Sequence, residues 1–430
     1  MKHMELKNGK SIVKLDLPEE NLLHIINPNK FDSMGTEEEI ILNALENPIG
    51  SRRMKDLIKP NEKVCIVISD ITRAWQKMSR YLPYIVDELK AAGVKDENII
   101  FLSATGTHRR QTDEEHRVLL GDKLFGKFTI YDHVSTDKES LKCIGTTTYG
   151  NVIYINKKAL ECDHVIITGS IVYHFLVGWG GGKKSILPGI SGYESVMKNH
   201  GLSLSPELGK GALPCIKCGN IENNPVYDDM LQAAGMVNPT FMFNDIMGPD
   251  GNICAAVAGD YVKAHEKGCS IVDEKDGVYI NEKADVVIAS AGGFPKDINF
   301  YQTIKTVTNS VEALKDGGSL IVLSECSEGL GGDQDVQDMI LNYDNQLDRE
   351  KSLRERYSIS KYVGYYMCEM SERFNFILVS GVIDKSLFTK TKVKVVDTLE
   401  DALKIAYKDN SSFKTTIMPY AANTLPKLKK

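Results

Sequence analysis

Three histidines stand where chemistry can use them. His108 ends the loop ATGTH, His174 ends GSIVYH, and His200 follows a further sixteen residues after Lys184. Imidazole titrates near neutrality and ligates transition metals, so three such residues can divide into two acid/base groups and one metal ligand. Between them lies FLVGWGGGKKSILPG, residues 175–189, in which Gly180, Gly181 and Gly182 run into Lys183 and Lys184. Glycines let backbone amides approach an anion closely. The remaining histidines, His3, His24, His116, His133, His164 and His265, read as satisfied structural residues.

The glycine run is not a triphosphate loop. That pattern needs glycine at Val177 and a hydroxyl at Lys184, and the chain offers no G-x-G-x-x-G at a first strand-to-helix turn. A phosphate cradle of another kind and a plain flexible turn with two solvent-facing lysines both stay open. In SDITR, Asp70, Thr72 and Arg73 offer a guanidinium fork for carboxylate or phosphate, or a helix cap followed by a surface arginine. In FYQTIKTV, Gln302 and Lys305 are three apart on one face of an expected helix, where a carboxylate can be met. Tyr301 beside them reads equally as core. The lone CxxC of Cys215 and Cys218 has no second pair to complete a four-sulfur site and reads as a turn.

These residues need strands to carry them. Short apolar runs at 63–70, 99–104, 128–132, 151–155 and 163–170 alternate with helical stretches at 81–94 and from Thr112, the pattern of an α/β fold. Three runs end in SDITR, ATGTH and GSIVYH, and in open α/β sheets ligands gather beyond the carboxyl ends of strands. A second cycle begins near residue 272, with strands at 285–290, SLIVLSEC and FILVSGV and a strand plus helix in KVKVVDTLEDALKIAYK. The expected architecture is two αβα domains with mostly parallel sheets, residues 1–271 and 272–410. Residues 411–430 are expected as a solvated tail that packs back on the N-terminal domain.

At 430 residues with formal charge −6 and 26% charged residues, the chain suits two globular domains and no general attraction to nucleic acid or anionic membrane. No apolar run approaches the roughly 18 residues of a membrane span, and the start lacks a secretory core, so a cytoplasmic protein is expected. Nine scattered cysteines fit reduced thiols.

Taken together, SDITR at 69–73, ATGTHR at 104–109, YHFLVGWGGGKKSILPGI at 173–190, NHG at 199–201 and YQTIK at 301–305 resemble the nickel-dependent lactate racemase family. The resemblance runs from about residue 10 to 420. It implies a racemase or epimerase of a 2-hydroxy acid, working by hydride transfer through a 2-keto acid in a cleft between the domains. It further implies a nickel-pincer nucleotide, nickel(II)-pyridinium-3,5-bisthiocarboxylic acid mononucleotide, covalently linked through Lys184, with His200 as the protein's nickel ligand. By motif position His108 and His174 become the acid/base pair, and Asp70, Ile71, Thr72 and Arg73 the cofactor-binding loop. Arg73, Tyr301, Gln302 and Lys305 become substrate-binding residues. Partners implied are the small 2-hydroxy acid and the proteins that make the cofactor.

After SDITR the family commonly continues with proline and a small apolar residue, whereas this chain has Ala74, Trp75 and Gln76. The pocket is therefore open to lactate, malate, a longer aliphatic, an aromatic or a sugar acid. Two rival readings remain at this level. One is a nicotinamide-dependent 2-hydroxyacid oxidoreductase, against which the missing fingerprint counts. The other is a non-catalytic nucleotide- or phosphate-binding module.

Overall fold

The computed structural model describes residues 1–408 and 410–429. The chain is α/β with mostly parallel sheets and divides into two units. The first unit comprises Phe31–Ser203 and Gly219–Val272; the second comprises Met1–Lys30, Leu204–Cys218 and the chain from Asp273 onward.

The first unit is built on a six-stranded sheet in the order Ile253–Gly259, Phe241–Met247, His164–Ser170, Val64–Ser69, Ile99–Ala104, Thr129–Asp132. All neighbours are parallel except the first pair. Val64–Ser69 is a near-continuous apolar run, as a strand covered on both faces requires. Over it packs the helix Met78–Ala91, whose Met78, Tyr81, Leu82, Ile85, Val86 and Leu89 recur at three- and four-residue spacing and join one core with Ile66, Ile68 and Phe243. The helix Asp113–Leu120 opens on a capping box between Thr112 and Glu115. Residues 152–156 do not join the main sheet; they pair antiparallel with Leu141–Thr146 as a separate ribbon.

The second unit holds a six-stranded parallel sheet in the order Lys394–Val396, Asn375–Val379, Leu314–Leu323, Ala284–Ser290, Thr415–Met418, Leu22–Ile25. This redraws the domains read from the sequence. The N-terminal hairpin sends Leu6, Leu15 and Leu17 into the core of this unit, beside Val286 and Ile288. The tail is likewise no solvated extension on the other domain. Thr415–Met418 lies between Ala284–Ser290 and Leu22–Ile25, and Leu425–Leu428 pairs with Gly277–Ile280. The physical reason is pairing: a buried parallel strand needs a neighbour on each side, and here the two chain ends supply them.

The excursion Leu204–Cys218 is held to the rest of the second unit by the carboxylates of buried Glu350 and partly buried Glu369. Glu350 Oε2 accepts the amides of Gly209 (3.1 Å) and Gly211 (3.3 Å), and Glu369 Oε1 accepts that of Ala212 (3.2 Å). Burial raises the Glu369 carboxyl to about 7, against the opposing pull of the Ala212 amide and Tyr365. An acid whose folded pKa lies above its unfolded value of roughly 4.3 binds its proton more tightly when folded, so its ionisation removes stability as pH rises through that interval. Glu369→Gln keeps an acceptor for Ala212 and removes the charge. The variant is expected to match the parent near pH 4 and to exceed it by about 3 kcal/mol at pH 8 in urea unfolding.

No helix among the described residues is long and apolar enough to cross a membrane.

Candidate active site

Every loop read as chemical in the first half of the chain lies at the carboxyl edge of the first unit's sheet. Val64–Ser69 ends in Asp70, which caps the turn Ile71–Gln76: Oδ1 accepts the Thr72 amide at 3.0 Å and the Thr72 hydroxyl at 2.5 Å. Its other oxygen accepts a hydrogen bond from His108 Nδ1, which stands beyond the next strand, Ile99–Ala104. Burial pushes the Asp70 carboxyl up, but the hydrogen bonds from His108 and Thr72 outweigh it, and the net shift is downward. Asp70 is thus an anion that fixes the proton on Nδ1 of a half-exposed imidazole and leaves Nε2 to act as base or acid. Arg73 Nη1 donates to Thr72 Oγ1 at 3.0 Å, which steadies the base of the guanidinium.

A residue without a sequence signal ties these loops together. Gln111 Oε1 accepts the Ile71 amide at 2.6 Å, while its amide group donates to Ser103 Oγ at 2.6 Å. The Gly106 amide donates to Gly189 O at 2.9 Å, joining ATGTH to the end of the glycine–lysine segment.

That segment is neither a flexible turn nor a simple anion cradle. Tyr173–His174 pairs with Gly178–Trp179 in a short antiparallel ribbon, and Gly182–Ser185 forms a single tight turn. Gly181 and Gly182 both have positive φ, and a Cβ on them would meet Asn244 Oδ1 at 2.6 Å and the His265 ring at 2.7 Å. The amides of Gly180, Gly182 and Lys184 are already engaged by Val172 O, Asn244 Oδ1 and Gly181 O. These glycines therefore serve close packing first. His265, read as a structural histidine, carries the loop from below, with Nε2 2.8 Å from Gly180 O.

Neither lysine faces solvent freely. Lys183 is 3% exposed with Nζ 3.7 Å from the centre of the Tyr227 ring, a capped cation whose pKa burial lowers to about 7. Lys184 is partly buried with Nζ 3.1 Å from His174 Nε2. Burial lowers its pKa to about 7 as well, helped by the charges of Arg73 and Lys183.

His200 sits in the last turn of the helix Tyr193–Gly201, fully inside the fold. Burial, then the charge of Lys184, lowers its pKa to about 3, so the ring is neutral. Its Nδ1 lies 2.9 Å from Val196 O, which places the proton there and the lone pair on Nε2, the state a metal ligand needs. Its helix is anchored by the neighbouring Asn199, whose amide donates to Asp229 Oδ2 at 2.8 Å; Asn151 (2.8 Å) and Thr147 (2.5 Å) donate to the same carboxylate. Asp229 escaped the sequence reading although a signal existed: it shares a helix face with buried Val226, Met230 and Ala233, where a carboxylate is out of place unless satisfied. Asp229→Ala strands three buried donors and is expected to cost about 3 kcal/mol in urea unfolding.

In the second unit the helix after YQ is shorter than expected, Ile304–Ser310, so Gln302 lies in the turn before it. The structure nevertheless brings Lys305 Nζ to 3.2 Å from Gln302 Oε1. Of the departures from the family pattern, Trp75 is exposed and Gln76 is buried. Burial pushes the Cys218 thiol up to about 12, which disfavours the thiolate a metal would need. Among the described residues no group of three or more His, Cys, Asp or Glu is arranged to hold a metal ion.

The chain is similar to known proteins along most of its length. The chain matches the family described as "Lactate racemase N-terminal domain" over residues 8–211 and "Lactate racemase C-terminal domain" over 280–422. It is 38% identical over 336 residues to a lactate racemase of Thermoanaerobacterium thermosaccharolyticum, covering 77% of this chain and 76% of the relative. To a lactate racemase of Lactiplantibacillus plantarum it is 32% identical over 393 residues, covering 89% of each. A solved lactate racemase apoprotein from Thermoanaerobacterium thermosaccharolyticum superposes with TM-score 0.87 at 31% identity, over 99% of this chain and all of that one. A Thermotoga maritima protein of solved structure, at 18% identity and TM-score 0.62, shares the fold.

Proposed function

Because the chain belongs to the lactate racemase family, whose named members are isomerases, we propose that it interconverts the enantiomers or C2-epimers of a 2-hydroxy acid, lactate or a larger relative. The observation that supports it best is the pair of histidines at one sheet edge, His108 oriented by Asp70 and His174 beside Lys184. The α-hydrogen of a hydroxy acid is barely acidic beside an ionised carboxylate, so side-chain bases tuned near neutrality do not remove it unaided.

The residues fit a nickel-pincer nucleotide. Lys184 is an amine with a strongly lowered pKa, as a covalent anchor requires, and neutral His200 has Nε2 left to bind nickel. Ile71 and Thr72 line the same loop, and its orientation by Asp70 and Gln111 would present them to the nucleotide. When bound, the group supplies reversible hydride acceptance, which no side chain offers.

The chain's own residues do the rest. His108 Nε2 takes the hydroxyl proton of one enantiomer, and His174 returns a proton for the other, since the two enantiomers place their hydroxyls on opposite sides. Arg73 polarises that oxygen. Tyr301, Gln302 and Lys305 hold the carboxylate so that only the reacting carbon changes face. We place the enzyme in the cytoplasm, supplied by the proteins that make the cofactor.

The test is turnover of single enantiomers of lactate, malate, longer aliphatic, aromatic and sugar acids by enzyme produced with the cofactor-making proteins, in D2O and read by chiral chromatography and mass. Racemisation with the α-hydrogen retained is expected; deuterium at C2 in the product would exclude the hydride route.

A further inference from the structure

The hydrogen bonds of His174 decide more than its own state. The Leu176 amide donates to His174 Nδ1 at 3.2 Å, so that nitrogen presents a lone pair. A neutral imidazole with a bare Nδ1 carries its proton on Nε2, and Nε2 is 3.1 Å from Lys184 Nζ. An ammonium has three donors and no acceptor, so an Nε2–H facing it would meet another N–H. The opposite assignment, a lone pair on Nε2 facing an ammonium, needs a proton on Nδ1 where the Leu176 amide already points. One arrangement satisfies both contacts: Nε2–H donating to an unprotonated Nζ.

We infer that His174 holds Lys184 as a neutral amine, ready as a nucleophile toward an acyl or thioacyl carbon, before any cofactor is attached. The inference rests on the anchoring role proposed above for Lys184. The charges that bear on Nζ act in the same direction: Arg73 is positive, Lys183 adds to it when protonated, and the nearby His200 is neutral. Attachment then forms a C–N bond through the Nζ lone pair while the carbon–oxygen bond of a thiocarboxyl group breaks, the oxygen leaving with the bonding electrons and departing as water with the proton that Nζ gives up and the thiocarboxyl proton. The resulting amide-type nitrogen has no lone pair to accept with, so the Nε2–H of His174 is released to serve a substrate oxygen. His174 is in this way a positioning residue for attachment first and an acid/base group afterwards.

The experiment uses the cofactor-free chain and limiting N-hydroxysuccinimidyl acetate at pH 7, with acetylation of each lysine read by peptide mass. At that pH an ordinary lysine is a free amine in roughly one molecule in 2,500. Lys184 is expected to react at least about tenfold faster than exposed Lys142. His174→Gln, which keeps an N–H within reach, should preserve that advantage, and His174→Phe, which keeps the ring shape, should abolish it. A Lys184 no faster than Lys142, or one equally fast in His174→Phe, overturns the inference. So does a 15N spectrum of the unmodified chain showing His174 protonated on Nδ1, a measurement that needs no variant. Rapid acetylation in a chain that never acquires a covalent nucleotide supports the inference and overturns the anchoring role alone.

Discussion

Replacing His108 by alanine lowers kcat/KM for racemisation at least about a thousandfold, and His174→Ala does the same, because each is the sole acid/base group on its side of the substrate in the proposed mechanism. The loss must be equal in both directions. Enantiomers have identical free energies, the equilibrium constant is one, and the ratio of forward to reverse kcat/KM is fixed at unity whatever the variant. What distinguishes the two histidines is their support. His108 depends on the Asp70 anion, whose partner hydrogen bonds hold its carboxyl below the usual range, so Asp70→Asn should cost about a hundredfold by weakening the base while leaving the ring in place. His174 is placed by the Leu176 backbone amide and by Lys184. Initial rates from each enantiomer of the best substrate check the pair. Full activity in either alanine variant would rule out the two-histidine scheme.

Much of this edge was legible because parallel α/β sheets place strand ends side by side. Asp70 and His108 are 38 residues apart in sequence yet bonded, and reading SDITR and ATGTH as the ends of successive strands was enough to expect them near each other. What the sequence hid were contacts made from the middle of elements. Gln111 follows the ATGTHRR loop as an ordinary polar residue, and its side chain locks Ile71 only because the neighbouring strand brings it there. Asn244 sits inside the apolar strand FMFNDIM and supports Gly182; a polar side chain within such a run is a signal, but its partner lies 62 residues away. The chain ends were misplaced for the same reason. Leu22–Ile25 is a four-residue strand whose only justification is its pairing with Thr415–Met418, and local periodicity contains no information about partners so distant. The glycine run was read for what it leaves open, an approach to an anion, whereas its geometry follows from what packs against it.

Lys184→Ala should leave the chain folded and reduce the nickel and nucleotide that survive dialysis by at least about a hundredfold, read by intact mass and metal analysis after expression with the cofactor-making proteins. The side chain makes one described hydrogen bond, to His174, and its ammonium is disfavoured by burial, so its removal costs the fold little. Retention is another matter. Among the described residues no group of three or more His, Cys, Asp or Glu is arranged to hold a metal ion, and the amides of Gly180, Gly182 and Lys184 are engaged within the protein. A covalent link raises retention, since a tethered group meets its site at an effective concentration that free ligand does not approach. Lys184→Arg sharpens the test, because it keeps a long nitrogen-bearing side chain but no nucleophilic amine; a guanidinium stays protonated at any working pH. If Lys184→Arg retains the group as the parent does, the link is elsewhere. If both variants lose it while His200→Ala keeps a covalently bound nucleotide without nickel, the two residues divide the work as proposed, Lys184 holding the organic part and His200 the metal.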